Sequence, residues 1–257
     1  GGTTTRAERK KDHWLVNGRK AWITNPHYAK TCIFTAKTNP NPKEGKGITA
    51  FIAELDTPGF KVEAKEDKLG MRSSDTAQLV FEDMKLPLDA VAGGDEQIDV
   101  GFNKFMKTLA GGRISIAALG LGIAQGAYER ARDYARQRKQ FGKPIAEFQM
   151  IQSKLADMYV WVESMRVFTY QVLRAASLVG DDEGGRGDIH KLTAAGVMYV
   201  AETMNKVLNE AVQVHGGTGY IWESEINRLY RSIKLLEIGA GTTEVRKMII
   251  SQELLKG

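Results

Sequence analysis

Residues 148–176 have the sequence FQMIQSKLADMYVWVESMRVFTYQVLRAA, in which apolar side chains recur at steps of three and four. The recurring residues are Phe148, Ile151, Leu155, Met158, Val162, Met165, Phe168, Val172 and Ala176. This spacing places side chains on one face of an α-helix. The stretch therefore predicts one long amphipathic helix with a buried apolar face.

Two further helices are predicted on either side of this stretch. The earlier one covers roughly 103–139, and its nearly unbroken run of apolar and small residues at 114–127 predicts deep burial. The later one covers about 188–214 and ends at a pair of glycines, which is a helix-stop signal. A loop with the sequence GDDEGGRGD at 180–188 separates it from the central helix. Long helices with short connections predict an antiparallel bundle of the four-helix type.

The first third of the chain has a different pattern. HWLVNGRKAWIT at 13–24 carries Asn17-Gly18 between two apolar-rich runs, which predicts a β-hairpin. Three more runs have strand composition: CIFTAKT, GITAFIAEL and AQLVFEDMKL. We therefore predict an α+β protein, with an antiparallel β-barrel or sandwich domain at 1–98 and a helical bundle domain at 99–257.

Composition restricts the class of protein. The 257 residues are 42% hydrophobic and 26% charged, as expected for a globular protein, and no apolar run approaches the ~18 residues of a membrane span. Cys32 is the only cysteine, which excludes an internal disulfide and a cysteine-based zinc site. The net charge of +5 comes without a long basic run, which argues against nucleic acid as a partner. The four histidines show no metal-ligand spacing, so no metal is expected.

The sequence QRKQFGKPIAEFQ at 137–149 contains the first candidate site. Arg138 and Lys139 stand at a predicted helix end, before Phe141-Gly142. In one interpretation they are cations placed to suit the helix dipole. In the other, this is a basic turn that binds a phosphate, with Phe141 as an apolar platform.

Two further stretches are ambiguous in the same way. QVHGGTGYIWE at 213–223 is either a glycine-rich helix exit or a place where a ligand approaches the backbone closely, which only glycine allows. It is not the dinucleotide-binding fingerprint, because it follows a helix and lacks the required spacing. In NGRKAWITN at 17–25, Trp22 and Thr24 are either a core aromatic and a strand hydroxyl or part of a binding surface.

The sequence LLEIGAGTTEVRKMII at 235–250 contains a small turn between an apolar run and a predicted helix. Thr242 precedes that helix, and Glu244 lies in its first turn. A hydroxyl at this place caps free N–H groups, and the helix N-terminus favours an anion. The turn is either a plain connector or a site that lacks an acidic side chain.

Five segments in order resemble the acyl-CoA dehydrogenase family, and its short-chain and branched-chain members above all. They are NGRKAWITN, KLGMRSSDTAQLVFEDMKLP, GRISIAALGLGIAQGAYERARDYARQRKQFGKPIAEFQMIQSKLADM, AVQVHGGTGY and RLYRSIKLLEIGAGTTEVRKMII. The resemblance implies the family's middle β domain and its C-terminal helical domain. The family's N-terminal helical domain has no counterpart in this sequence.

The resemblance also implies FAD as cofactor and an acyl-CoA thioester as substrate. The cofactor-binding residues that it implies are Trp22, Thr24, Arg138, Phe141, Gln149, Gln213, Gly216, Gly217 and Thr242. The substrate-side residues that it implies are Arg113 and Gly241. Arg138 and Phe141 are expected to reach the FAD of a neighbouring subunit, so the resemblance implies a dimer or tetramer. The resemblance also implies an electron-transfer flavoprotein as a candidate partner, and it leaves a bacterial cytoplasm and a mitochondrial matrix open as the compartment.

One residue of the family's chemistry is missing. The reaction needs a carboxylate that removes the α-proton of the thioester. Most members carry it at the position of Ala240, and a minority carry it at the position of Gly112. Glu237 and Glu244 flank the turn but are interpreted as structural. The Ala240 N–H would still hold the thioester oxygen.

Two hypotheses follow, with a plain helical scaffold as a weaker third. The chain is part of an active FAD-dependent dehydrogenase whose base lies elsewhere, or it is a catalytically silent subunit that binds FAD and acyl-CoA. The departure RLYRSIK, where the family usually has Arg-Asp-Ala-Lys, leaves the contacts of Ser232 and Ile233 open.

Overall fold

The structure is a computed structural model that describes residues 3–39, 47–178 and 187–256. It forms two compact units. The β unit comprises residues 1–68 and 72–106, and the helical unit comprises residues 69–71 and 107–257. No helix in the described ranges is both long and apolar enough to cross a bilayer.

The β unit contains one six-stranded sheet. Its strands are β1 (Arg6–Arg9), β2 (His13–Thr24), β3 (Thr31–Lys37), β4 (Ile48–Glu54), β5 (Phe60–Val62) and β6 (Thr76–Pro87). Their spatial order is β4-β3-β1-β2-β6-β5. The α+β class is confirmed, but within the described residues β4 and β5 do not pair, so the sheet is not a closed barrel. It is also not wholly antiparallel, because β1 and β3 run parallel.

The predicted hairpin at Asn17-Gly18 is wrong. β2 continues through both residues and pairs with β6 on either side of a register shift between Val16 and Gly18. The Asn17 side chain is bonded to the backbone N–H and the carboxylate of Asp83, at 2.8 and 3.0 Å. Gly18 has φ 139°, and a Cβ there would lie 2.6 Å from the Thr5 Cα. The pair therefore lies opposite a β-bulge, in which Glu82 and Asp83 of β6 face Asn17 alone, and Gly18 supplies the permissive backbone that a hairpin turn would also need.

Aromatic side chains fill the core of the β unit. Phe81 stacks on Phe34 at 4.6 Å and meets Phe60 edge-on at 5.2 Å. Trp14 meets Phe51 edge-on at 5.2 Å. Alternation along the strands sends these rings to one face of the sheet. Buried residues of both β2 and β6 belong to this core.

A buried carboxylate fastens the loop that follows β2. Asp75 accepts hydrogen bonds from the His27 backbone N–H at 3.0 Å and from the His27 ring Nδ1 at 2.9 Å. The second ring nitrogen of His27 lies 3.1 Å from the Glu63 carbonyl. Burial alone would raise the pKa of Asp75, but the hydrogen bonds from His27 bring that pKa below its usual value. The loop is therefore tied to the start of β6.

We expect this contact to make stability depend on pH. The folded pKa of Asp75 is lowered, so its contribution is complete above the ordinary carboxyl pKa and is lost as the pH falls through the lower folded value. Asp75→Asn should lower the urea midpoint near neutral pH and flatten the acid side of its pH profile. Asp67→Asn, at an exposed position, is the control. An unchanged acid slope in Asp75→Asn would contradict this account.

The helical unit follows. Its helices are α1 (Gly101–Gln137), α2 (Gln149–Leu178), α3 (Asp188–His215), α4 (Gly217–Tyr220), α5 (Glu225–Ile238) and α6 (Thr243–Leu254), with α1 beginning in the β unit. The long helix predicted from 148–176 is confirmed as α2, and the helix predicted at 188–214 is confirmed as α3. The predicted loop at 180–188 lies outside the described residues except for its last two positions.

Small residues on α1 let the long helices approach one another. Ala124, Ala127, Ala131 and Ala135 are fully buried in one core cluster with Met158 and Met165 of α2 and Met204 and Leu208 of α3. An alanine face allows close approach, and flexible methionines fill the spaces that remain. The predicted burial of α1 holds for this face, whereas Gly111, Gly112 and Leu119 are exposed.

The segment Leu69–Met71 packs on α5. A Cβ on Gly70 would lie 2.3 Å from the Arg231 carbonyl oxygen, so only glycine fits. The Ser232 hydroxyl donates to the Arg228 carbonyl at 2.8 Å and accepts from the Met71 N–H at 3.2 Å. Ser232 and Ile233, whose contacts the sequence left open, are both buried.

Candidate functional site

A tight hairpin carries the first candidate residues. After α1 the chain forms two short strands, β7 (Lys139–Gln140) and β8 (Lys143–Pro144). Phe141 and Gly142 connect them with φ 52° and 82°, as in the two-residue turns that need positive φ at both central positions. The Arg138 N–H and carbonyl are bonded to Tyr134 and Ile145, both at 2.8 Å. The backbone of Arg138 is therefore fixed, while its side chain is exposed.

Phe141 is held in an uncommon conformation and faces solvent. A bulky residue with positive φ costs about 1–3 kcal/mol and persists only where its surroundings require it. The side chain is 92% exposed, although its ring edge meets Phe148 at 6.1 Å. Lys143 stands over the Phe148 ring at 4.6 Å. The hairpin thus presents an apolar ring among cations, which suits a flat ligand that carries phosphate.

The glycine-rich exit of α3 is the second candidate segment. Gly216 ends the helix with φ 58°, and its N–H bonds to the Gln213 carbonyl at 3.1 Å. The Gln213 side chain is exposed. Gly217 begins α4, and a Cβ on Gly216 or Gly217 would meet no atom within 4 Å. These glycines are therefore not required by packing inside the unit, and they leave backbone open to another molecule.

Tyr134 brings these two segments together. Its ring stacks on His215 at 4.5 Å, and its hydroxyl lies 3.4 Å from the Thr218 hydroxyl. Its carbonyl accepts from Arg138, one helical turn later. Arg138, Phe141 and the glycine loop consequently lie at one end of the helical unit. Gln149 is exposed at the start of α2, directly after the same hairpin.

The small turn between α5 and α6 is strained and capped. Ala240 has φ 55°, and Gly241 has φ 100°. The Thr242 hydroxyl accepts from the Val245 N–H at 3.4 Å, so its predicted role as the α6 N-cap is confirmed. Within the described residues the Ala240 N–H makes no backbone hydrogen bond. The turn therefore offers a free N–H donor next to a helix N-terminus.

The carboxylates of both glutamates beside the turn accept hydrogen bonds from other groups. Glu237 accepts from Asn205 and from Lys234. The pKa of Glu244 is lowered by a hydrogen bond from its own backbone N–H and by the Thr242 hydroxyl. A carboxylate held in this way is a poor proton acceptor. The contacts support the structural interpretation of both residues.

Two buried arginines lie behind the turn. Arg246 is fully buried, and it donates to the carbonyls of Leu236 at 2.8 Å and Gly239 at 2.7 Å. Arg113, also buried, lies 3.1 Å from His190 Nδ1. Burial lowers the pKa of both guanidinium groups, and the charge of Arg113 lowers that of Arg246 further. In this unit Arg113 faces the interior, so its expected place beside substrate stays a prediction.

Trp22 and Thr24 lie at the end of β2 in the β unit. Trp22 has φ 55° at a register shift between Lys20 and Ile23, and its side chain is 76% exposed. The alternative that Trp22 is a core aromatic is therefore wrong. Thr24 is exposed and pairs with Thr76. The bulge turns an aromatic ring outwards, beside the loop fastened by His27 and Asp75.

Four residues that shape these sites were not predicted from the sequence: Tyr134, His190, His215 and Arg246. A tyrosine and a histidine 81 positions apart carry no local signal of stacking. Arg246 stands beside Lys247 in a predicted helix, and an arginine in such a place is usually solvated. Only tertiary contacts reveal their roles.

Comparison with known proteins gives matches to this chain in both sequence and fold. The family models described as "Acyl-CoA dehydrogenase, middle domain" and "Acyl-CoA dehydrogenase, C-terminal domain" match residues 1–84 and 99–255. A probable acyl-CoA dehydrogenase of Bacillus subtilis is 43% identical over the whole chain, which covers 65% of that protein. Isovaleryl-CoA dehydrogenase of Oryza sativa is 44% identical over 98% of the chain, which covers 59% of that protein.

The fold is similar to that of solved acyl-CoA dehydrogenase structures. The structure of butyryl-CoA dehydrogenase from Megasphaera elsdenii matches 99% of this chain with a TM-score of 0.88 and 39% identity. The match covers 64% of the Megasphaera chain. The chain thus spans about three-fifths of the length of these relatives.

Proposed function

Because the chain belongs to the acyl-CoA dehydrogenase family, we propose that it binds FAD and an acyl-CoA thioester and takes part in α,β-dehydrogenation of the acyl group. The observation that carries this proposal is the shared end of the helical unit, where Arg138, exposed Phe141 and the open glycines meet. A cation, a ring and bare backbone suit the phosphate, the flat ring and the close approach of a dinucleotide.

Each part of the cofactor has candidate partners in the chain. Arg138 would neutralise the diphosphate, Phe141 would pack against a ring, and Gln213 with Gly216 and Gly217 would line the adenosine side. Gln149 and Thr242 would add hydrogen bonds, and Trp22 with Thr24 would stand beside the flavin ring. When bound, FAD would supply the acceptor for the hydride that leaves the β-carbon.

The turn before α6 would hold the substrate. The Ala240 N–H would donate to the thioester oxygen, which becomes more negative as the α-proton leaves. Gly241 leaves space for the acyl chain, and Arg113 would contribute positive charge from behind the turn. Holding the oxygen makes the α-proton more acidic, so this half of the chemistry needs no carboxylate from the turn.

A second function has its own support. Ala240 and Gly112 carry no carboxylate, and Glu237 and Glu244 are engaged in other contacts. A subunit of this kind would bind FAD and acyl-CoA and oxidise the thioester very slowly. In the first function, by contrast, an electron-transfer flavoprotein would be the partner of the active dehydrogenase.

Turnover separates the two functions. The full-length protein should be purified with its flavin and supplied with short acyl-CoAs and a dye as electron acceptor. Steady dye reduction with stoichiometric enoyl-CoA supports the dehydrogenase. Tight acyl-CoA binding without dye reduction supports the silent subunit, and failure to bind either FAD or acyl-CoA rejects both.

We expect the full-length protein to form a dimer or a tetramer. Phe141 and Tyr220 are 92% and 84% exposed, and Met150 is 80% exposed, all on the helical unit. A second copy and its FAD would cover these exposed side chains in the assembly. Sedimentation of the flavin-loaded protein checks this, and a monomer with full flavin content would contradict it.

A further inference from the structure

Arg246 binds a peptide group of the small turn between α5 and α6. Its side chain is wholly buried, and one terminal nitrogen donates to the carbonyls of Leu236 and Gly239. These carbonyls lie at the C-terminal end of α5, where helix carbonyls lack partners and carry partial negative charge. The cation is thus placed where the backbone is most negative.

The Gly239 carbonyl and the Ala240 N–H belong to the same peptide group. A trans peptide is planar, so its C=O and N–H point in opposite directions. A donor that fixes the carbonyl on one side therefore fixes the direction of the N–H on the other. Ala240 has a strained φ of 55°, which an alanine rarely keeps unless its surroundings hold it. The hydrogen bond from Arg246 to the Gly239 carbonyl helps to hold it.

A charged donor also changes the strength of the group that it binds. Hydrogen bonds in a chain polarise one another, more so where water is excluded. Positive charge at the Gly239 oxygen draws electrons through the amide and leaves the Ala240 N–H a stronger donor. Arg113, buried close enough to influence Arg246, adds to the positive potential at this place.

We propose that Arg246 is a positioning residue that orients and polarises the Ala240 N–H for the thioester oxygen. This inference rests on the proposed function, because it takes that oxygen as the acceptor. Arg246 acts through the peptide group without touching substrate. This effect of Arg246 on the backbone N–H does not depend on whether the side chain at position 240 carries a carboxylate.

The test is the infrared stretch of the thioester carbonyl, labelled with carbon-13, in acyl-CoA bound to the full-length flavoprotein. In the unmodified protein we expect the stretch to fall below its value in water, because a strong donor weakens the C=O bond. In Arg246→Met it should return towards the value in water, at saturating acyl-CoA. Lys247→Met removes an exposed cation one position along α6 and should leave the stretch unchanged.

A merely structural role would lower stability without moving the carbonyl stretch. Arg246→Gln keeps a neutral donor at the same site and should give an intermediate stretch, and it replaces Arg246→Met if that variant does not fold. An unchanged stretch in either variant, with acyl-CoA bound, overturns the role of Arg246 and leaves the proposed function standing. Failure of the unmodified protein to bind acyl-CoA would reject the proposed function itself.

Discussion

Ala240→Glu should raise the rate of flavin reduction by acyl-CoA about 10²–10⁴-fold, which is the usual contribution of a positioned general base. This increase is expected if no other residue of the protein acts as the general base. Ala240 already occupies the left-handed backbone region with φ 55°, and glutamate meets the same backbone restriction there as alanine. The side chain at 240 is partly exposed, so a longer one can be accommodated without displacing core residues.

The measurement is anaerobic bleaching of the flavin by a panel of short acyl-CoAs. Ala240→Gln is the matched control, because it has nearly the shape of glutamate and no basic carboxylate. Gly112→Glu is a second route to the same carbon. Gly112 is exposed on α1, a Cβ there meets nothing within 4 Å, and glutamate is favoured over glycine in a helix by about 0.5–1 kcal/mol.

Three results would contradict this account. Fast bleaching by the unmodified protein would show that a base already acts from another position. Failure of both glutamate variants, with FAD and acyl-CoA bound, would show that neither position faces the α-carbon. Bleaching by Ala240→Gln at the rate of Ala240→Glu would show that charge at position 240 is irrelevant.

Arg138→Ala should weaken FAD binding about tenfold to a hundredfold, since a hydrogen bond to a charged group contributes about 1.5–3 kcal/mol. The backbone of Arg138 is held by Tyr134 and Ile145, so truncation of the exposed side chain should leave the hairpin intact. Flavin affinity is measured by titrating the apoprotein, in the full-length assembly, with FAD.

Arg136→Ala is the control for this loss of charge. Arg136 is also exposed, two residues earlier in the last turn of α1, and outside the hairpin. Equal loss of affinity in both variants would indicate a general effect of charge. Unchanged flavin affinity in Arg138→Ala would count against the whole assignment of this end of the helical unit.

Helix periodicity predicted the helical unit well, because burial of one face imposes its spacing on the sequence. The stripe at 148–176 corresponds to α2 at Gln149–Leu178, and Thr242 caps α6 as its side chain suggested. The β unit was harder to predict. Asn17-Gly18 suits either a hairpin or a strand position opposite a bulge, and the choice depends on Asp83, 66 positions away on β6.

Only those parts of the candidate site that lie in short sequence motifs could be predicted. The glycines and the Arg138–Phe141 turn stood out in sequence, but the left-handed backbone of Phe141 did not, since few bulky residues adopt it. The stacking of Tyr134 on His215 and the contact of Arg246 with α5 depend on how the helices pack. No local pattern records such contacts.

The central claim is that this protein binds FAD and an acyl-CoA thioester side by side, and anaerobic titration of the full-length protein with a short acyl-CoA tests it most directly. We expect flavin to accompany the purified protein and its absorption spectrum to change saturably as acyl-CoA is added, whether or not reduction follows. A protein that does not retain FAD, or whose bound flavin shows no spectral response to any acyl-CoA, would contradict the claim.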